Sequence, residues 1–267
     1  MVQATGRSPR AFVALVFVLT LPFLLLSQLT GLELFPSLPV SALATICPFL
    51  AAAILIVRES GAAGVTDLLR RSFDYRRIEA KIWYLPTLLL IPSLTLVSYA
   101  LMRGLGVSLP DPVVPILLAG ALSLAFFIGA LGEELGWSGY ATEPLQERWG
   151  ALTAAIVLGL VWAVWHIVPY MQGGRSAGWI LWQCVGTVAL RVLLVWIYNN
   201  TRRSVFAAAL CHASVNVSVF LFPNVGSHYD PRFAAPITVV AAMGVVVLWG
   251  PRTLTGRAGG GSAGSRS

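Results

Sequence analysis

The stretch Gly132-Glu133-Glu134-Leu135-Gly136-Trp137 decides how this chain folds and what it can do. It places two adjacent carboxylates directly after a segment, 115–130, that contains no charged residue. An ionisable side chain inside the hydrocarbon layer costs about 2.5–3.5 kcal/mol on insertion scales, and it is retained where a partner, a cavity or a reaction needs it. We therefore expect the rest of the chain to bring polar partners to Glu133 and Glu134.

The composition is that of a membrane protein. Of the 267 residues 57% are hydrophobic and 11% are charged, and the mean hydropathy is +0.79, whereas soluble domains carry about 25% charged residues. We predict an all-α, polytopic membrane protein with small loops. The net charge of +7 is best explained by topology signals. Because no basic stripe with interleaved aromatic residues is present, we expect no nucleic acid as a partner.

Apolar segments of sufficient length predict about eight transmembrane helices that enclose an intramembrane polar site. They cover residues 11–28, 40–57, 82–102, 113–145, 151–168, 179–198, 204–222 and 236–249. A cleavable signal peptide is the alternative for the first segment, but its apolar core is long and no small-x-small cleavage site follows. Pro48 predicts a kink in the second segment, which membrane helices tolerate.

Residues 1–255 are predicted to form a single transmembrane domain with its core motifs in 115–222, and the Gly/Ser-rich residues 256–267 are predicted to be disordered. Residues 58–81 are the largest polar segment. Leu68, Leu69 and Phe73 lie there at helical spacing, so we expect an amphipathic helix on the membrane surface, with a solvated loop as the alternative. The three cysteines lie in apolar segments without paired spacing, which argues against disulfides.

The basic residues predict the orientation of the spans. With alternating spans one side receives only Arg103, Arg175 and Arg232. Both termini are therefore predicted to lie in the cytoplasm, with the chain in the cell membrane. The cytoplasmic side receives Arg7, Arg10, Arg58, Arg70, Arg71, Arg76, Arg77, Lys81, Arg148, Arg202, Arg203, Arg252, Arg257 and Arg266.

Four polar positions from three helices can meet at one depth. Glu134 and His166 are equally far along the chain from Gly150, so two antiparallel helices would carry both about 24 Å from the same turn. His212 and Asn216 lie one turn apart on one helix face. A lone histidine is often a packing residue, an asparagine can simply link helices, and a glutamate pair also fits the ion site of a transporter. Together they favour one shared functional site.

Water activation is the chemistry that suits this set. A buried carboxylate can take a proton from water, His166 can orient that water or hold a metal, and His212 and Asn216 can donate to a developing oxyanion. An amide would then be hydrolysed without a serine or cysteine nucleophile. Ser138, Ser214 and Cys211 lie nearby in sequence, but they lack the base and orienting group that nucleophilic catalysis needs.

These residues resemble the CPBP family of intramembrane proteases, also called the CAAX protease or bacteriocin-processing family. Its motif Glu-Glu-x-x-x-Arg is matched by Glu133 to Ser138, followed by a typical Gly139-Tyr140. Its aromatic-x-x-x-His motif is matched by Trp162 to His166, and its His-x-x-x-Asn motif by His212 to Asn216. Each motif alone is weak, but the order and spacing agree over roughly residues 58–222.

The resemblance implies an intramembrane endopeptidase that hydrolyses membrane-associated, CAAX-like or bacteriocin-type peptides. It implies that Glu133 is the general base, that His166 helps it to activate water, and that His212 and Asn216 stabilise the oxyanion, with Glu134 as the second motif carboxylate. The family is described as metalloproteases, and a metal-free, glutamate-dependent mechanism is also argued for it. Glu133, His166 and His212 would be the ligands if zinc is used.

One departure from the family pattern is Ser138, which stands where the motif has arginine. We hypothesise that Arg191, in the sixth span, neutralises one acidic group of the site, with Glu143 competing for it. Two alternatives to a protease stay open at this point. One is an inactive-site protein that binds peptides as an immunity factor or chaperone, and the other is an ion-coupled transporter.

Overall fold

The computed structural model describes residues 6–35, 38–225 and 228–255, so the predicted disordered tail lies outside the described residues. Within these ranges the chain is almost entirely helical, and the predicted all-α fold is confirmed. The helices are α1 (Pro9–Thr30), α2 (Cys47–Arg70), α3 (Tyr84–Gly104), α4 (Ile116–Gly136), α5 (Thr142–Trp149), α6 (Ala151–Gln172), α7 (Ala177–Asn200), α8 (Val205–Phe220) and α9 (Pro231–Trp249). Two short strands, β1 (Glu33–Phe35) and β2 (Leu38–Pro39), pair antiparallel after α1.

The helices follow the eight predicted spans. Among the described residues, seven helical segments are long and apolar enough to cross a membrane. The remaining predicted span is α8, an apolar helix of 16 residues, which is slightly shorter than the range usual for a spanning helix. The chain is thus a multi-pass membrane protein.

Serine caps fix the starts of three of these helices. Ser8, Ser176 and Ser204 each have a side-chain oxygen that accepts from a backbone N–H of the first turn of α1, α7 and α8 respectively. Capping by serine stabilises a helix by about 1 kcal/mol because it satisfies an otherwise orphaned donor. The start of α8 is held further by Asp74, whose carboxylate accepts from Ser204 and from the first backbone amides of the helix.

Pro48 does not kink the second predicted span, 40–57, and the break in the helical path lies beyond that span. Residues Val40–Ile46 form a 3-10 helix, and α2 begins at Cys47. Pro48 therefore lies in the first turn of α2, where proline costs no hydrogen bond, rather than at a kink inside a helix. The helical path is interrupted instead at Gly61, with φ +74° and ψ −175°, a conformation that only glycine adopts readily.

The polar segment 58–81 is not one amphipathic helix. After Gly61 the chain is helical to Arg70 and then forms two short 3-10 turns, Arg71–Phe73 and Tyr75–Arg77. Leu68 is buried in the main core, whereas Leu69 and Phe73 are exposed. The helical part thus has one face against the protein and apolar side chains on the other, and its location at the membrane surface stays a prediction.

Two glycines let α4 lie directly against the second span. Gly132 and Gly136 flank the glutamate pair one turn apart, the small-xxx-small spacing with which membrane helices approach closely. A Cβ at Gly132 would be 2.7 Å from the carbonyl oxygen of Thr45, and one at Gly136 would overlap the carbonyl oxygen of Pro48. This close approach sets the height and rotation of α4, and with them the directions of both glutamates.

We predict that Gly136→Ala destabilises the protein, because the new methyl group meets backbone that cannot move aside and overpacking costs about 1–3 kcal/mol. Gly120→Ala in the same helix is the matched control, since a Cβ there has nothing within 4 Å. Thermal unfolding of both variants in the same detergent checks this. An equal unfolding temperature for the two variants would contradict it.

Candidate active site

The structure brings four of the five predicted site residues together inside the helix bundle. Glu133 and Glu134 lie in the last turn of α4 and are buried, with exposures of 3% and 0%. His212, on α8, is buried and contacts Glu134 directly. His166, on α6, lies edge-on against the ring of Trp162, which also contacts His212. Three helices, α4, α6 and α8, thus meet at the glutamate pair.

Glu134 is saturated with donors. Arg191 of α7 forms a two-pronged ion pair with it, with Nη1 2.9 Å from Oε2 and Nη2 3.0 Å from Oε1. The Nδ1 atom of His212 lies 3.1 Å from Oε1, and the hydroxyl of Ser138 donates to Oε2. Such bidentate, charge-assisted bonds are strong and directional. With four donors on two oxygens, Glu134 has no acceptor position left for a water.

The hypothesis that Arg191 neutralises one acidic group is confirmed by this geometry. Its guanidinium is fully buried and pairs with Glu134. Glu143 does not compete, because it accepts from the Tyr198 hydroxyl at 2.8 Å and pairs with Arg203 at 3.0 Å. The positive charge that the family motif supplies from position 138 is therefore supplied from α7, and Ser138 adds a hydrogen bond to the same carboxylate.

Glu133 is held on one side only. Its Oε2 accepts from the indole Nε1 of Trp162 at 2.7 Å, and its Oε1 has no donor among the described residues. The two glutamates differ because neighbouring helical residues point about 100° apart, so Glu133 faces α6 whereas Glu134 faces α7 and α8. Trp162 was not among the predicted site residues, although it occupies the aromatic position of the second motif.

The hydrogen bonds of the two histidines assign their tautomers. The Nδ1 of His166 lies 2.8 Å from the carbonyl oxygen of Trp162, and that of His212 faces a carboxylate oxygen of Glu134. Because both partners can only accept, Nδ1 carries the hydrogen in each ring. In a neutral ring Nε2 is then the acceptor, so His166 can accept from a water molecule. Donation from Nε2 of His212 to an oxyanion would require the doubly protonated ring.

Asn216 is the predicted site residue that the structure does not join to the cluster. It lies one turn beyond His212 on α8 and is half-buried. Its amide makes no hydrogen bond within the described part of the chain, so it is not used as a structural link between helices. Its predicted role at the oxyanion stays a prediction.

A π-helical turn, Trp137–Ala141, follows the glutamate pair directly. Such turns are rare and are often found at functional sites. Here the hydroxyl of Ser138 reaches back to Glu134, and the carbonyl of Gly139 accepts from Arg7 at 3.2 Å and from Arg71 at 3.0 Å. The turn therefore ties the site to the start of α1 and the end of α2. No signal in the sequence predicted it.

The residues proposed for a metal do not form a ligand set as they stand. No group of three histidine, cysteine or acidic side chains in the described ranges is placed to hold one ion. One oxygen of Glu133 is occupied by Trp162, and the Glu134 oxygens are occupied by four donors. Glu133, His166 and His212 are therefore not gathered around one ion in this arrangement, and their use as zinc ligands stays a prediction.

Comparison with known proteins agrees with the resemblance drawn from the motifs. Residues 115–218 match the family model described as Type II CAAX prenyl endopeptidase Rce1-like. The chain is also similar to the CAAX prenyl protease 2 of Methanococcus maripaludis, with 26% identity over 191 residues, which cover 64% of this chain and 68% of that protein. The predicted resemblance to CAAX proteases is confirmed, and the matched stretch contains all three motifs.

We predict that Arg191→Met strongly destabilises the protein, because it leaves Glu134 as an uncompensated buried charge, a change that costs about 3–5 kcal/mol. Adding Glu134→Gln should recover much of this loss. Arg70→Met is the matched control, since Arg70 pairs with Asp67 at the surface, where both side chains are more than 70% exposed. The coupling is measured by denaturing four variants in one detergent: Arg191→Met, Glu134→Gln, the double variant and Arg70→Met. Additive effects of Arg191→Met and Glu134→Gln would contradict the prediction.

Proposed function

We propose that this chain is an intramembrane endopeptidase, a conclusion that starts from the match of residues 115–218 to Rce1-like CAAX prenyl endopeptidases. That match, together with the similarity to a CAAX prenyl protease, supports protease activity in general. The proposal that Glu133 activates the water depends on a difference between the two glutamates in the donors that surround their carboxylates. Glu134 is saturated by four donors, whereas Glu133 keeps one oxygen without a donor among the described residues.

In the proposed reaction Glu133 is the general base. Its Oε1 takes one proton from a water molecule, and the oxygen of that water attacks the carbonyl carbon of the scissile peptide bond. Glu133 then returns the proton to the amide nitrogen as the C–N bond breaks, so the reaction consumes one water and yields a carboxylic acid and an amine. A positioned acid or base of this kind contributes about 10²- to 10⁴-fold to the rate.

His166 is proposed to orient the water. With the hydrogen on Nδ1 held by the carbonyl of Trp162, its Nε2 is left to accept from the second hydrogen of that water. Asn216 is proposed to donate its amide N–H to the oxyanion from α8, and His212 to donate from Nε2 in its doubly protonated form. Glu134 and Arg191 are proposed to form a rigid ion pair without net charge. This pair fixes the ring of His212 and does not contact the substrate.

The proposed substrates are membrane-associated peptides, such as the prenylated C-termini suggested by the names of the matched proteins. The burial of the glutamate pair within the helix bundle supports a substrate that enters from the lipid or from the membrane surface. The proposed orientation keeps both termini in the cytoplasm. The meeting of Arg7 and Arg71 at the Gly139 carbonyl supports one part of it, that the start of α1 and the end of α2 lie on the same side of the membrane.

We predict that Glu133→Gln abolishes cleavage, because the amide cannot take a proton from water. The rate constant for a fluorescence-quenched farnesylated CAAX peptide in liposomes should fall by at least about 10²-fold. Glu79→Gln is the matched control, since Glu79 is exposed and pairs with Arg202 at the surface. Wild-type activity in Glu133→Gln would overturn the proposed base, and peptide binding without turnover in the wild type would favour the inactive-site alternative.

We predict that a chelator leaves the cleavage rate unchanged, because no step of this proposal passes through a metal. The measurement compares purified protein dialysed against EDTA with protein to which zinc is restored, with the same peptide. Loss of activity that zinc restores would show that the metal ligands predicted from the sequence come together in a rearranged site.

A further inference from the structure

We propose that Trp162 is a positioning residue for the reaction, and that its indole N–H directs the Glu133 carboxylate towards the water. The inference rests on the proposed function, because it assigns a role to Trp162 in the work of Glu133. It concerns the N–H group and not the aromatic ring. The family resemblance asks only for an aromatic side chain at this position, so the donor is a feature of this chain.

Trp162 contacts all the charged or titratable groups of the site except Glu134. Its Nε1 donates to Glu133 at 2.7 Å, and the guanidinium of Arg191 lies over its ring, 4.1 Å from the centroid. The rings of His166 and His212 pack edge-on against it at 5.4 and 5.0 Å. The side chain is 3% exposed. Its rotation is therefore fixed from several sides before it meets Glu133.

A fixed indole sets the direction of the base. The indole nitrogen can only donate, so it cannot take the proton that Glu133 must accept. It holds Oε2 instead, which leaves Oε1 as the oxygen that faces the water. A carboxylate without this bond could rotate about its terminal torsion, which is broad for glutamate, and would present its oxygens in many directions.

The ring and the N–H can be separated by experiment. Trp162→Phe keeps an aromatic ring for Arg191 and the two histidines, but it removes the donor. If Trp162 only fills space, this variant loses stability and keeps its turnover. If the N–H positions Glu133, the turnover falls while the affinity for the peptide is kept, because the bond does not touch the substrate.

The test measures kcat and KM for the quenched farnesylated peptide in liposomes. We expect kcat of Trp162→Phe to fall by about tenfold or more, the range for losing a hydrogen bond to a charged group, with KM within about twofold. Replacement of Trp162 by β-(3-benzothienyl)alanine, which has the same shape but sulfur in place of N–H, should give the same result even if Phe packs poorly. A kcat within twofold of wild type in both variants would overturn the proposal.

Two control variants separate this effect from general damage. Trp196→Phe removes a buried indole N–H of α7 that has no partner among the described residues, and it should keep wild-type kcat. Thr20→Val removes the acceptor of the buried indole bond from Trp165, which is 2.8 Å long. The same substitution also removes the bond from the Thr20 hydroxyl to the Val16 carbonyl. It therefore gives the stability cost of losing a buried indole bond together with one local bond, and the unfolding of Trp162→Phe is compared with that combined cost.

A readout without turnover distinguishes failure of this inference from failure of the proposed function. In protein labelled with ¹⁵N-tryptophan, the indole resonance of Trp162 is assigned by its loss in Trp162→Phe. We expect Glu133→Gln to shift this resonance upfield, because a charged acceptor is replaced by a neutral one. An unshifted resonance overturns the positioning contact. A shifted resonance in a protein that cleaves no peptide would keep the contact and refute the protease.

Discussion

The ion pair between Glu134 and Arg191 is the contact on which the site depends. Both side chains are fully buried, and an unpaired charge in their place would cost several kcal/mol. A buried pair seldom adds much stability over apolar residues of the same size, so its value here is geometric. It joins α4 to α7, and through Glu134 it also fixes the ring of His212 on α8.

Helix geometry gives two adjacent glutamates different surroundings. The close contact at Gly132 and Gly136 holds α4 against the second span, and this rotation sends one carboxylate towards α7 and α8 and the other towards α6. The charge of the first is balanced by a guanidinium. Among the described residues Glu133 accepts only from a neutral indole N–H, so its Oε1 is left without a donor there.

Much of the fold could be predicted because hydropathy gives the length of each span directly. The ion pair of Arg191 could be predicted in part, because an arginine inside a span requires an acidic partner. The choice of Glu134 over Glu143 could not be predicted, since it depends on the rotation of α4 and α7. Gly61 gave no stronger signal than Pro48, yet the helical path is broken at Gly61, just beyond the second predicted span. The role of Trp162 was hidden because an aromatic residue in a span is ordinarily packing.

Ser138 stands where the motif of the similar family has arginine, and a guanidinium from another helix pairs with the carboxylate that Ser138 contacts. The Arg191 guanidinium of α7 contacts both oxygens of Glu134, and position 138 carries a small side chain in the π-helical turn. The hydroxyl then satisfies the same carboxylate from within its own helix. An arginine at position 138 would replace the Ser138 hydroxyl, and it would have to compete for the two oxygens with the three remaining donors, two from Arg191 and one from His212.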